Sequence, residues 1–259
     1  MAEALIGGLV STGWAEAADI GVIEVVEPRR VELLQTFPGL KVAASCELAC
    51  GRKDFVIDDV LVAVKPQHVA EVAQELGGAG TARALSIAAG VRLEALLEGF
   101  GAEARIIRAM PNTPALVGKG AAAIAASANA TEADTLWAEE ILSAVGTVVT
   151  VSEQELDAVT GLSGSGPAYV FLLAEAMKQA GIDQGLAPEV ADSLTRQTVL
   201  GAATLLASSP EDPAVLRSNV TSPGGTTAAA IAVMQEKQLE QIVRDAIAAA
   251  TARSAELGG

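Results

Sequence analysis

The sequence predicts an α/β fold, with a doubly wound parallel sheet in the first half of the chain and an all-helical second half. Short, continuous apolar runs alternate with amphipathic segments up to residue 151, the pattern of strands covered by helices on both faces. Beyond that point no further strand is evident. The 259 residues are 51% hydrophobic but only 3% aromatic, so the helices must meet through small, closely packed side chains. A mean hydropathy of +0.40 provides ample apolar surface to offset the ordering entropy of folding, which excludes a disordered chain.

The elements follow in order. Residues 2–12 read as a helix and 21–26 (GVIEVV) as a strand. A helix over 28–36 would turn Val31, Leu33 and Leu34 inward. Residues 60–64 form a near-continuous apolar strand, preceded by Asp58 and Asp59 and stopped by Lys65-Pro66. A helix over 69–76, a strand over 84–88, a helix over 93–100 and a strand over 104–108 come next. A strand at 121–126, a helix at 132–143 and a strand at 146–151 complete this half. After it, Ser165 is a possible cap and Pro167 sits near the first turn of a new helix. Helices are expected over 167–180, 188–207, 212–218 and 226–256. The domain boundary falls after residue 152, giving a doubly wound α/β domain over 1–152 and a helical domain over 153–259.

Charge and the scarce residue types exclude several functions. A net charge of −15 argues against a nucleic-acid partner, which rewards basic patches. No uncharged run reads as a membrane span, and the opening MAEALIGG lacks a basic n-region, so a cytoplasmic protein is expected. Cys46 and Cys50 are the only thiols and His68 the only imidazole. Two Cys without a nearby His do not complete a zinc site, a single His argues against a Ser–His triad, and these residues read as small packed residues and a helix-start residue.

Three segments carry possible chemistry. Ala63, Val64, Lys65 and Pro66 stand at the carboxyl end of a buried strand, where open parallel sheets bind their ligands. In RAMPNTPA, two prolines enclose Asn112 and Thr113 and hold a carboxamide and a hydroxyl in a rigid loop, suited to a flat polar group such as a nicotinamide amide. In VTSPGGTT, Gly224 and Gly225 let the backbone approach a ligand just before a helix whose first amides favour a carboxylate or phosphate. Each segment taken alone also fits a structural turn: a strand stop, a crossover loop or a capped helix start.

Together they resemble the pyrroline-5-carboxylate reductase family. The matching stretches are ALIGGL at 4–9, VAVKPQ at 62–67, SIAAGV at 86–91, MPNTPALVG at 110–118, DAVTGLSGSGPAYV at 157–170 and VTSPGGTT at 220–227, in the family's order. The resemblance implies an N-terminal Rossmann-type domain and a C-terminal helical domain that interlocks with its twin in a homodimer, with dimers assembling further in many members. It implies hydride transfer from NADPH or NADH to the C=N carbon of 1-pyrroline-5-carboxylate, giving proline. By position, it places cofactor contacts at Ala63, Val64, Lys65, Pro66, Ala88, Ala89, Met110, Pro111, Asn112, Thr113 and Asn219. It makes Ser222, Gly224, Gly225, Thr226 and Thr227 the cradle for the substrate, with Thr227 the hydroxyl nearest the ring nitrogen.

Two features stand apart from the family pattern. The family opens with a strand and a G-x-G-N-M turn, and Met1 falls where the Met of that turn belongs. The expectation is therefore a true start some residues upstream, restoring that strand; a truncated, non-enzymatic oligomerising homologue is the alternative. Glu27 follows the strand at 21–26, the usual place for an acid that binds the adenosine ribose hydroxyls and favours NADH, yet Arg29 and Arg30 follow and are able to pair with a 2′-phosphate. A solvated turn is the plain reading of the same residues. A further alternative is another Rossmann oxidoreductase of the hydroxyacid dehydrogenase type, whose catalytic Lys would have to be Lys178 or Lys237.

Overall fold

The apolar runs of the first half form strands in a computed structural model that describes residues 1–55, 57 and 59–258. Asp58 lies outside the described residues. Contacts divide the chain into two compact units, the first comprising Met1–Ser165 with the C-terminal end from Ala249, the second Gly166–Ala248.

In the first unit, β1 (Gly21–Ile23) pairs in parallel with β2 (Lys41–Ala43) as a two-stranded sheet. A second, five-stranded sheet contains β3 (Asp59–Val62), β4 (Arg83–Ser86), β5 (Arg105–Met110), β6 (Gly120–Ala126) and β7 (Gly146–Thr150) in that order. Strands β3, β4 and β5 are parallel, as expected. Strand β6 runs antiparallel to β5, with Ile107 opposite Ala126, and corrects the expectation of an all-parallel sheet. The cause is the short connection between Met110 and Gly120, which holds a 3₁₀ turn (Thr113–Val117) and Gly118 in the left-handed region at φ 68°. A parallel crossover needs about a dozen residues or more, and this one lacks them.

Neighbouring residues of each strand serve opposite faces, which is what makes the sheet doubly covered. Val62, Ala84 and Ile106 join one core with Val69, Ala73 and Leu76 of α4 (Val69–Gly78) and Leu96 and Phe100 of α5 (Leu93–Phe100). Leu85, Ile107 and Ile124 join the other with Leu5 and Leu9 of α1 (Ala2–Ser11) and Leu142 of α6 (Glu132–Ser143). Helix α2 (Glu27–Thr36) turns only Leu33 fully inward, against Ile6 and Leu40, while Val31 and Leu34 stay exposed. Strand β1 also stops earlier than expected, because Val25 is 76% exposed and Arg30 draws the carbonyl oxygens of Glu24 and Val25 out of any ladder. Helix α3 (Cys46–Cys50) carries both free thiols, Cys46 buried and Cys50 exposed.

After β7 the chain passes through α7 (Leu156–Val159) and a π-helical turn (Thr160–Gly164). The second unit contains α8 (Gly166–Asp183), α9 (Pro188–Ser208), α10 (Pro213–Asn219) and α11 (Thr226–Glu236). The long final helix expected over 226–256 is instead two, α11 and α12 (Leu239–Leu257), broken where Gln238 takes a φ of 56°. Large apolar side chains of this unit face outward, among them Phe171, Leu172, Leu200 and Val233. Among the described residues, no helix is long and apolar enough to cross a membrane, and no cluster of His, Cys, Asp and Glu is placed to hold a metal.

Candidate functional site

Because β3, β4 and β5 are parallel, their carboxyl ends emerge at one edge of the sheet, and the segments that follow them gather there. Ala63 and Val64 leave β3, and Lys65 is extended (φ −66°, ψ 149°) because Pro66 opens the 3₁₀ turn Pro66–His68. Lys65 and Ala63 are exposed at this edge. Ala88 is buried and Ala89 exposed in the segment after β4, which is tied to its neighbour strand where Ile87 N donates to Val62 O at 3.0 Å. The side chains at Ala63, Ala88 and Ala89 are methyl groups, those of Ala63 and Ala89 exposed and that of Ala88 packed into the core.

Met110, Pro111, Asn112 and Thr113 follow β5 at the same edge. The structure gives Asn112 a clear local task. Its Oδ1 accepts a hydrogen bond from Ala121 N at 2.9 Å, and its Nδ2 donates to Ser163 O at 3.0 Å. The side chain is 9% exposed, so its amide braces the loop between β6 and the π-helical turn. Thr113, the first residue of the following turn, is exposed and keeps its hydroxyl at the surface.

One residue of this edge carried no assigned role in the sequence. Arg108 is buried within β5, and its Nη1 pairs with Glu153 Oε1 at 2.9 Å. The same oxygen accepts from Leu93 N, at the start of α5, at 2.7 Å. Arg108 opens the RAMPNTPA motif, but its partner lies 45 residues away, so no local pattern announces the pair.

At the end of the two-stranded sheet, Glu27 is the exposed first residue of α2. Both neighbouring arginines are engaged: Arg29 with Glu3 at 2.9 Å and with Glu32, and Arg30 with the carbonyl oxygens of Glu24 and Val25. The buried thiol does not compete for a chemical role. Burial, then its hydrogen bond with Glu75, pushes Cys46 up to about 11, which keeps it a neutral thiol.

The second group of residues belongs to the second unit. Asn219 ends α10, exposed, with Nδ2 3.4 Å from Glu211 Oε2. Ser222–Gly225 form a turn closed by Gly225 N donating to Ser222 O at 3.0 Å, with Gly224 at φ 71°. Gly225 is the N-cap of α11, and no side chain caps its first amides. A Cβ at Gly225 would lie 2.4 Å from Ser222 Oγ, so a side chain there would fill the space beside that hydroxyl. The backbone N–H groups of Thr226 and Thr227, with the hydroxyls of Ser222, Thr226 and Thr227, make a donor set for a small carboxylate at a helix start.

Residues 153–257 match the family model for pyrroline-5-carboxylate reductase dimerisation, and residues 1–91 match that for coenzyme F420-dependent NADP oxidoreductase. The pyrroline-5-carboxylate reductase of Synechocystis sp. is 43% identical over 259 residues, covering 100% of this chain and 95% of that protein. Among solved structures, a pyrroline-5-carboxylate reductase from Coxiella burnetii superposes with a TM-score of 0.91 at 35% identity, over 100% of this chain and 95% of that one. The Plasmodium falciparum pyrroline carboxylate reductase, solved with NADP bound, superposes with a TM-score of 0.83 at 28% identity, over 99% of this chain and 94% of that one.

Proposed function

Since this chain belongs to the pyrroline-5-carboxylate reductase family, we propose that it reduces 1-pyrroline-5-carboxylate to L-proline with NADPH or NADH, the last step of proline biosynthesis. The observation that carries the substrate side is the start of α11, where Gly225 leaves the first amides free of a side-chain cap. An imine acid presents a carboxylate to those amides, which carry the positive end of the helix dipole. Thr227, in the first turn, offers its hydroxyl to the ring nitrogen and holds the proton there. A protonated imine is already electrophilic, so the chain needs to orient the ring rather than supply a strong acid. This fits a sequence with one histidine, which is exposed in a 3₁₀ turn.

The cofactor side rests on the sheet edge. Ala63, Val64, Lys65, Pro66, Ala88 and Ala89 would lie along the dinucleotide, and Met110, Pro111, Asn112 and Thr113 near its nicotinamide. Bound NADPH or NADH supplies the hydride. Asn112 would act by fixing this loop, because its amide is held by Ala121 and Ser163. By its place in the sequence, Asn219 is a further cofactor contact in this reading. The apolar side chains of the second unit would be buried in a homodimer, of which several would assemble further, and the protein would work in the cytoplasm.

The test is oxidation of NADPH and of NADH by the purified chain with 1-pyrroline-5-carboxylate, and with 2-hydroxy acids as the control for the dehydrogenase alternative. Oxidation that requires the imine acid, with proline as product, supports the reading. An intact dimer that binds neither cofactor would instead support a non-enzymatic oligomerising protein.

A further inference from the structure

We propose that Arg92, Asp157 and Ser254 form a latch through which the last turns of α12 hold the Ala88–Arg92 segment in shape, making these three positioning residues for cofactor affinity. The proposal rests on the reading of Ala88 and Ala89 as cofactor contacts.

The segment between β4 and α5 has little regular structure of its own. Gly90 turns it at φ 78°, and Arg92, extended at φ −80° and ψ 158°, is the N-cap of α5 without a capping side-chain hydrogen bond. Its two ends are held by Ile87 N donating to Val62 O and by Leu93 N donating to Glu153, and between them its support comes from the end of α12. Leu257 O lies 3.3 Å from where a Cβ at Gly90 would stand, so the end of α12 rests directly on this turn. The Arg92 guanidinium then reaches past it: Nε donates to Gly258 O at 3.3 Å, and Nη2 lies 3.6 Å from Asp157 Oδ2. Asp157, on α7, is buried, and its other oxygen accepts from Ser254 Oγ at 2.7 Å. Ser254 is also buried, on α12.

Each contact has a physical reason to persist. A cation at the C-terminal end of α12 meets carbonyl groups that have no partner within the helix. A buried carboxylate needs both of its partners, and Ser254 and Arg92 supply one to each oxygen. The result joins residues 92, 157 and 254, distant in sequence, around one loop. Holding that loop in its binding shape before the cofactor arrives lowers the ordering cost of binding. A latch of this kind alters affinity for the cofactor and leaves the chemistry at α11 alone.

The experiment compares the full chain with Arg92→Ala, Arg92→Lys and Ser254→Ala. The readouts are KM for NADPH, KM for 1-pyrroline-5-carboxylate, kcat, and hydrogen exchange of peptides covering residues 87–93 in the ligand-free protein. The latch predicts that Arg92→Ala raises KM for NADPH about tenfold, with kcat and the imine-acid KM changed by less than about twofold. Arg92→Lys should restore part of the loss, and exchange over this segment should quicken in both Ala variants. An unchanged KM for NADPH, or equal rises in both KM values, overturns the proposal. Should Arg92→Ala fail to fold, Ser254→Ala decides by the same readouts. If the unmodified chain neither binds nor oxidises NADPH, the cofactor reading fails, and exchange alone decides the latch: faster exchange in Ser254→Ala upholds it, unchanged exchange refutes it.

Discussion

Arg108 and Glu153 form a 2.9 Å ion pair that joins the strand leading into the M-P-N-T loop to the segment beyond β7, with the arginine side chain 5% exposed. The same Glu153 oxygen also receives the first amide of α5. Removing one member of such a pair leaves a buried charge without a partner, whereas removing both costs less. Glu153→Gln keeps an oxygen able to accept from Leu93 N and Arg108 but removes the charge that balances the buried guanidinium, and should lower stability by about 2–4 kcal/mol in urea unfolding. Adding Arg108→Met should recover part of that loss. A double variant no more stable than Glu153→Gln would show that the pair is not the source of the cost.

Thr227→Ala tests the substrate cradle. The hydroxyl stands in the first turn of α11, and the variant keeps every backbone amide of that turn. Turnover of 1-pyrroline-5-carboxylate should fall by about tenfold or more, the loss of one hydrogen bond to a charged group. Sedimentation should show the same oligomer as the parent. Unaltered turnover would remove Thr227 from the reaction.

The elements that were legible in advance are those with strong local signals. Helix α6 spans 132–143 as expected because Thr131 and Asp134 cap its start reciprocally, and α5 spans 93–100 because Leu93, Leu96 and Phe100 recur on one buried face. The direction of β6 was not legible, since an Ala-rich run pairs equally well either way and only the short connection decides. The break at Gln238 was hidden as well, for Gln-Glu-Lys-Gln carries no Gly or Pro to mark it. At the site, backbone-shaping residues such as Pro66 and Gly225 announced their places. The side-chain partners of Asn112 and Arg108 did not, because the atoms that bind them come from other elements.

Asp134 should contribute to the protein's acid sensitivity. Burial pushes its carboxyl up, but hydrogen bonds from Thr131 and the charges of Arg105 and Arg83 outweigh this and hold it below the ordinary value. A carboxylate with a lowered folded-state value stabilises the protein fully above about pH 4 and loses that contribution as pH falls through the lowered value. Asp134→Asn should therefore be less stable than the parent at pH 7, with the gap closing as the solution is acidified. A gap that stays constant down to pH 2 would place the stabilisation elsewhere.

Cofactor preference should turn on Glu27. Its carboxylate stands exposed beyond β1, while Arg29 and Arg30 are already paired within the fold. Surface pairs such as Arg29 with Glu3 are worth about 0–1 kcal/mol, so a 2′-phosphate is able to recruit the arginine once the acid is gone. Glu27→Ser should shift the NADPH to NADH ratio of kcat/KM by about tenfold toward NADPH. A ratio that does not move means that Glu27 does not read the ribose.

The most direct test of the account follows a labelled hydride. The full chain is given 1-pyrroline-5-carboxylate and NADPH carrying deuterium at the transferable nicotinamide position, and the product is examined by mass spectrometry and NMR. The account predicts proline with one deuterium on the ring carbon that was the C=N carbon, formed in equal amount to the cofactor oxidised. Cofactor oxidation without labelled proline, or no turnover from a correctly assembled dimer, would contradict it.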